Sequence, residues 1–216
     1  AISIFGAFGA LPGNIATYHA VTTAIEHPSV LDAFRALEKK GLSVAYVGVD
    51  ASGHVSVKDV RDAIRDNTML VSVMHANNEI GTVQPIAEIG RAILKIRKDK
   101  KSEYPLFHID ACQSAGLLPI TTHTFHADLI TITLSKLYGP RGVGILYARR
   151  NVPIAPLFAG GSHERGLRPG TENFPAIVGA EEAVLVVARV REKEYKRLSG
   201  IREFFLTSLA GALPKD

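Results

Sequence analysis

The sequence predicts an α/β fold: a three-layer α/β/α arrangement around a mostly parallel central sheet. Two observations carry this prediction. Short apolar runs alternate with helical stretches of about ten or more residues, the signature of strand–helix–strand crossovers. Sheets built from such crossovers are covered by helices on both faces, which suits the apolar character of the runs. A length of 216 residues with 46% hydrophobic content allows one substantial core.

The elements follow in order. "VTTAIEHPSV" opens with a short β-type run and places His27 just after it. "LSVAYVGV" (Leu42 to Val49) reads as a buried strand. "VSVKDVRDAIRD" predicts a helix with Ser56 as N-cap and Val60 and Ile64 on one face. "TMLVSVMHA" (Thr68 to Ala76) is the next strand and "IAEIGRAILKIRK" the next helix, with Ile93, Leu94 and Ile96 as its buried stripe. "PLFHIDA" and "DLITITLS" give two more strands, and "GVGILYARR" a further one, antiparallel to the rest. After Asn173 a helical pattern runs almost to the end of the chain without another strand.

Several function classes fall away on composition. No run approaches ~18 uninterrupted apolar residues, so a membrane span is not expected. The start lacks a basic n-region and a small-residue cleavage site, so it does not read as a signal peptide, and it opens in mid-pattern. One cysteine, Cys112, excludes an internal disulfide and fits a reducing, cytoplasmic setting; an organelle stays open if a transit peptide precedes Ala1. Net charge is +4, and its densest basic stretch, Arg91 to Lys101, reads as a solvated helix face. Without interleaved aromatic residues it offers no base-stacking platform, which argues against nucleic acid.

Ligands of open α/β sheets bind beyond the carboxyl ends of the strands. Those ends carry "HANNEIG", "DACQSAG" and "LSKLYGP", and a loop "GGSHERGLRPGTEN" adds a fourth polar cluster. Each residue has a plain structural alternative. Asp110 suits a helix cap, Lys136 a surface turn, Asn77 and Asn78 turn formers, and His27 a helix start. Convergence favours chemistry, because one sheet brings an acid, an amide, a lysine and a histidine together. This set suits pyridoxal 5'-phosphate, which needs a lysine for covalent attachment and an aspartate at the pyridinium nitrogen. Hydroxyls and backbone N–H groups would hold its phosphate. No His/Cys/Asp cluster has metal-ligand spacing, and neither G-x-G-x-x-G nor a P-loop occurs.

Five motifs, "TTAIEHPSVL", "MHANNEIGTVQPI", "HIDACQSAG", "SKLYGPRGVGILY" and "GGSHERGLRPGTEN", resemble those of the NifS/IscS-like cysteine desulfurases. These are class V aminotransferase-family enzymes of pyridoxal-phosphate fold type I, a group that includes selenocysteine lyases. The resemblance implies a cofactor-binding large domain over residues 1–175. Residues 176–216 would form a long helix leading toward a small C-terminal domain beyond the chain.

It implies Lys136 as covalent cofactor anchor and proton shuttle, and His27 as the imidazole stacked on the ring. Asp110 would pair with the pyridinium nitrogen, Gln113 donate to the ring oxygen, and Asn78 contact the cofactor and the substrate carboxylate. Thr133 and Ser135 would serve the phosphate, and Thr171 the phosphate of a neighbouring subunit in a homodimer. The implied substrate is L-cysteine or a related amino acid, its sulfur leaving as a persulfide bound for an acceptor protein.

Three departures stand out. The family has histidine where this chain has Ser135, its Gly-Thr-Glu phosphate loop falls before Ala1, and its catalytic cysteine falls beyond Asp216. Cys112, beside Asp110, reads as a packed small hydrophobe rather than a persulfide carrier. Two alternatives stay open: a selenocysteine lyase or other class V lyase, and a catalytically silent paralogue acting as a dimerising module.

Overall fold

A computed structural model describes residues 1–213. Twelve principal elements follow one another: α1 (Ile2–Gly9), β1 (His19–Thr23), α2 (Pro28–Glu38), β2 (Ser43–Val47), α3 (Val57–Ala63), β3 (Thr68–Met74), α4 (Ile86–Lys100), β4 (Leu106–Asp110), α5 (Thr122–Phe125), β5 (Leu129–Thr133), β6 (Gly144–Ala148) and α6 (Phe174–Ala212). The strands form one sheet in the order β2-β1-β3-β4-β5-β6. All neighbours are parallel except β5 and β6, which pair antiparallel from Leu129↔Ala148 to Thr133↔Gly144.

Both faces of the sheet are covered, and the side-chain period of two sorts the strand residues between them. Ala20, Leu70, Leu106 and Leu129 meet Ile4 and Phe8 of α1 and Phe34 of α2. Val21, Val71, Phe107, Ile109 and Ile130 meet Val60 of α3, Ile89 and Ile93 of α4, and Phe125 of α5. A third, smaller cluster sets Leu134 and Leu137 against Ala180 and Val187 of α6.

The sequence reading holds for the order of elements and slips in detail: β2, expected as a buried strand over Leu42 to Val49, is an edge strand over Ser43–Val47 with only Val47 of its residues buried. Ser56 caps α3, its side chain accepting from the amide of Asp59 at 3.3 Å, but the helix ends at Ala63 and Ile64 lies past it in extended conformation. In α4 the buried stripe is Ile86, Ile89, Ile93 and Arg97, while Leu94 is exposed. Arg97 takes the place expected of an apolar residue because Asp128, 1% exposed, meets it in the interior. The same carboxylate accepts from the amide of Phe107 at 2.7 Å and from Arg149 Nε at 2.6 Å. One buried acid thereby joins α4, β4, the start of β5 and the end of β6. The long final helix, read from the pattern after Asn173, begins at Phe174 with Asn173 as its N-cap, two residues before the implied domain boundary at 176. No described helix is long and apolar enough to cross a membrane.

Candidate cofactor site

β1, β3, β4 and β5 are neighbours and parallel, so their carboxyl ends open on one edge of the sheet. The turns there carry His27, Asn78, Asp110, Gln113, Thr133, Ser135 and Lys136. The register places Asp110 beside Met74 on one side and Thr131 on the other. Its carboxylate is buried, and Oδ1 accepts from the amide of Cys112 at 2.9 Å. That bond closes the turn in which Gln113 faces the next strand.

β5 runs into a short 3-10 turn, Leu134–Lys136, that delivers the lysine. Leu134 and Leu137 are buried against α6 while Ser135 and Lys136 face outward, so the apolar pair seats the turn and presents the polar one. Lys136 Nζ donates to Gln113 Oε1 at 2.9 Å. Gln113 therefore spends its carbonyl on the lysine and keeps its NH₂ group for a ligand. Thr133 Oγ1 and Ser135 Oγ lie 3.2 Å apart, two hydroxyls bonded to each other. After the lysine the chain folds back sharply: Tyr138 has φ 61°, and the Gly139 amide donates to the Leu134 carbonyl at 2.9 Å.

His27 caps α2, its Nδ1 accepting from the amide of Ser29 at 3.1 Å, with Ser29 Oγ 2.8 Å away. The helix-start role is real, and it leaves Nε2 and the exposed ring for other contacts. Of the two asparagines, Asn77 is structural. It donates to the Ile25 carbonyl and accepts from the amides of Glu79 and Ile80, while Asn78 is exposed. Thr171 lies in the exposed loop before α6, and among the described residues no hydrogen bond joins it to this cluster. The Cys112 thiol is pushed up to about 12, by burial first and then by the charge of Asp110. It stays protonated at neutral pH and is a poor nucleophile.

Residues 12–203 match the family described as aminotransferase class-V. The chain belongs to the class-V aminotransferase family. Within that family the class-V chain is 42% identical over 189 residues to the cysteine desulfurase IscS of Dictyoglomus turgidum, covering 87% of its own length and 46% of the relative's. Among solved structures it resembles a NifS-like protein with a TM-score of 0.84 and 39% identity, over 90% of this chain and 52% of that one. SspA in complex with cysteine aligns with a TM-score of 0.71 and 38% identity, over 83% and 53% of the two chains. The class-V chain spans about half the length of the curated relatives it matches.

Beneath the exposed edge the class-V chain holds a polar layer that sequence reasoning missed. His108 is buried, its Nδ1 2.8 Å from Ser72 Oγ and its Nε2 2.8 Å from Thr131 Oγ1. Burial pushes its pKa down to about 4, so the ring is neutral. His75 pairs with Ser114 Oγ at 2.9 Å and meets Phe125 edge-on. Glu26 is buried, and that burial pushes its carboxyl up to about 8. A signal existed for the histidines, since polar residues interrupt apolar strands there. Glu26, in a turn, gave none.

Proposed function

We propose that this chain is the cofactor-binding part of a pyridoxal-phosphate-dependent cysteine desulfurase, an enzyme that removes sulfur from L-cysteine to leave L-alanine. The observation that carries the reading is the Lys136–Gln113 bond beside buried Asp110, at the ends of two adjacent strands. The donor set fits the group. A buried acid suits a pyridinium nitrogen, an exposed lysine suits an aldehyde, and paired hydroxyls suit a phosphate.

When bound, pyridoxal phosphate supplies a ring that accepts electron density from the substrate's α-carbon. Asp110 would hold the ring nitrogen in its protonated state, its own charge oriented by the Cys112 amide. Lys136 would hold the cofactor covalently and carry a proton at Nζ, with Gln113 fixing where that amine stands. His27 would stack, and Asn78 would orient the substrate carboxylate. Thr133 and Ser135 would donate to the phosphate, and Thr171 would reach the phosphate of a neighbouring subunit in a homodimer. The inert thiol of Cys112 supports assigning the sulfur-accepting nucleophile to a residue outside this chain. Sulfur would pass on to an acceptor protein, in iron–sulfur assembly or thiolation, in the cytoplasm or an organelle.

One feature favours a second reading. Ser135, in place of the family's histidine, contributes a neutral hydroxyl where a cationic donor is expected, consistent with a silent, dimerising paralogue. A single experiment separates them. The purified chain mixed with pyridoxal phosphate is expected to develop a visible absorbance band that Lys136→Ala abolishes. A lysine-dependent band removes the second reading, and a longer chain carrying the phosphate loop that the resemblance implies, if it forms no such band, refutes the enzyme reading.

A further inference from the structure

We propose that Glu26 is a positioning residue for the cofactor site, a buried acid that clamps the turn between β1 and α2 to β3 so that His27 is held at the edge where Asp110 and Lys136 converge. The inference rests on the pyridoxal-phosphate reading above.

The geometry is that of a replaced strand residue. The β1–β3 register reaches Thr22↔Ser72, and the turn then carries the chain away. Met74, two residues further along β3, would be left with an unpaired buried amide, which proteins rarely tolerate. Glu26 Oε1 accepts from that amide at 2.7 Å and from Thr23 Oγ1 at 2.7 Å. Asn77 Nδ2 adds a second strut to the same turn through the Ile25 carbonyl at 2.9 Å. Thr23, Ile25 and Glu26 are thus tied by side-chain bonds and Ala24 by its amide to the Val47 carbonyl at 2.9 Å, and His27 is next in the chain.

The charge state follows from the surroundings. Glu26 is 4% exposed, and its Oε2 has no partner among the described residues. A carboxylate with one bare oxygen in such a place is costly, and burial of this kind favours the neutral acid. The Thr23 and Met74 bonds favour the charged form, but burial outweighs them, and the negative charge of Asp110 adds to burial. Glutamine should then substitute faithfully, since it keeps the accepting Oε1 and adds no charge.

The test uses the full chain with pyridoxal phosphate. It reads cofactor affinity and the induced circular dichroism of the lysine-dependent band, which reports the ring's orientation. Glu26→Gln is expected to keep both, whereas Glu26→Ala is expected to weaken affinity about tenfold and change the dichroism. Should Glu26→Ala not fold, Thr23→Val, which removes one of the two donors, is expected to show the same change in smaller measure. Wild-type affinity and dichroism in a folded Glu26→Ala or Thr23→Val chain overturn the proposal, as does their loss in a folded Glu26→Gln chain. A longer wild-type chain that carries the implied phosphate loop and still lacks the band overturns the cofactor reading and this proposal together.

Discussion

Ser135 presents a hydroxyl where the resemblance implies an imidazole, and among the described residues its side chain is bonded to another hydroxyl, Thr133. Hydrogen bonds from a charged donor are stronger than those from a neutral one. Ser135→His is therefore expected to tighten pyridoxal-phosphate binding about tenfold in a fluorescence titration. Glu26 gives a pH prediction. Its folded-state pKa, pushed up to about 8, lies above its unfolded value, so the folded chain binds the extra proton. That contribution to stability is complete below the unfolded pKa and is lost as pH rises through about 8. Melting temperature across this window is expected to fall more steeply in the wild type than in Glu26→Gln. Lys136 and Asp110 were legible in the sequence because each ends an apolar run. Glu26 was not, because the partner that makes it matter, the Met74 amide, is 48 residues away and belongs to the backbone.

Elements meet closely at Gly90, where α4 crosses α5. A Cβ there would sit 2.1 Å from the Phe125 carbonyl oxygen, so the helices could approach this far only over a glycine. Gly90→Ala is expected to cost about 1–3 kcal/mol of stability by forcing the two apart, measured by chemical denaturation. Asp128 works at the same scale. Asp128→Ala leaves Arg97 buried without its partner and is expected to cost about 3–5 kcal/mol. Neither residue announced itself. Gly90 sits inside a pattern that reads as an ordinary helix, and Asp128 precedes its strand like any turn residue. The elements themselves were readable because periodicity is local, whereas close approach and buried ion pairs are properties of two elements at once.

For the whole molecule, the parallel sheet, its antiparallel last strand and the long final helix were all readable from alternation and length. The opening helix and the exact sorting of residues between the two faces were not, since both depend on which strand lies beside which. A cofactor that binds only the folded chain stabilises it by mass action, about 2.7 kcal/mol at a hundredfold excess over Kd. Pyridoxal phosphate is accordingly expected to raise the melting temperature of the wild type and to do so far less in Lys136→Ala.

The 39 residues of α6 extend about 58 Å at 1.5 Å per residue. Its buried contacts, Ala180, Ala183 and Val187, all fall in the first fourteen. The helix is therefore seated by its first turns on the segment that carries Lys136, with one further tie from Tyr138 to Glu194 at 3.4 Å, so the lysine turn and α6 form one packed unit.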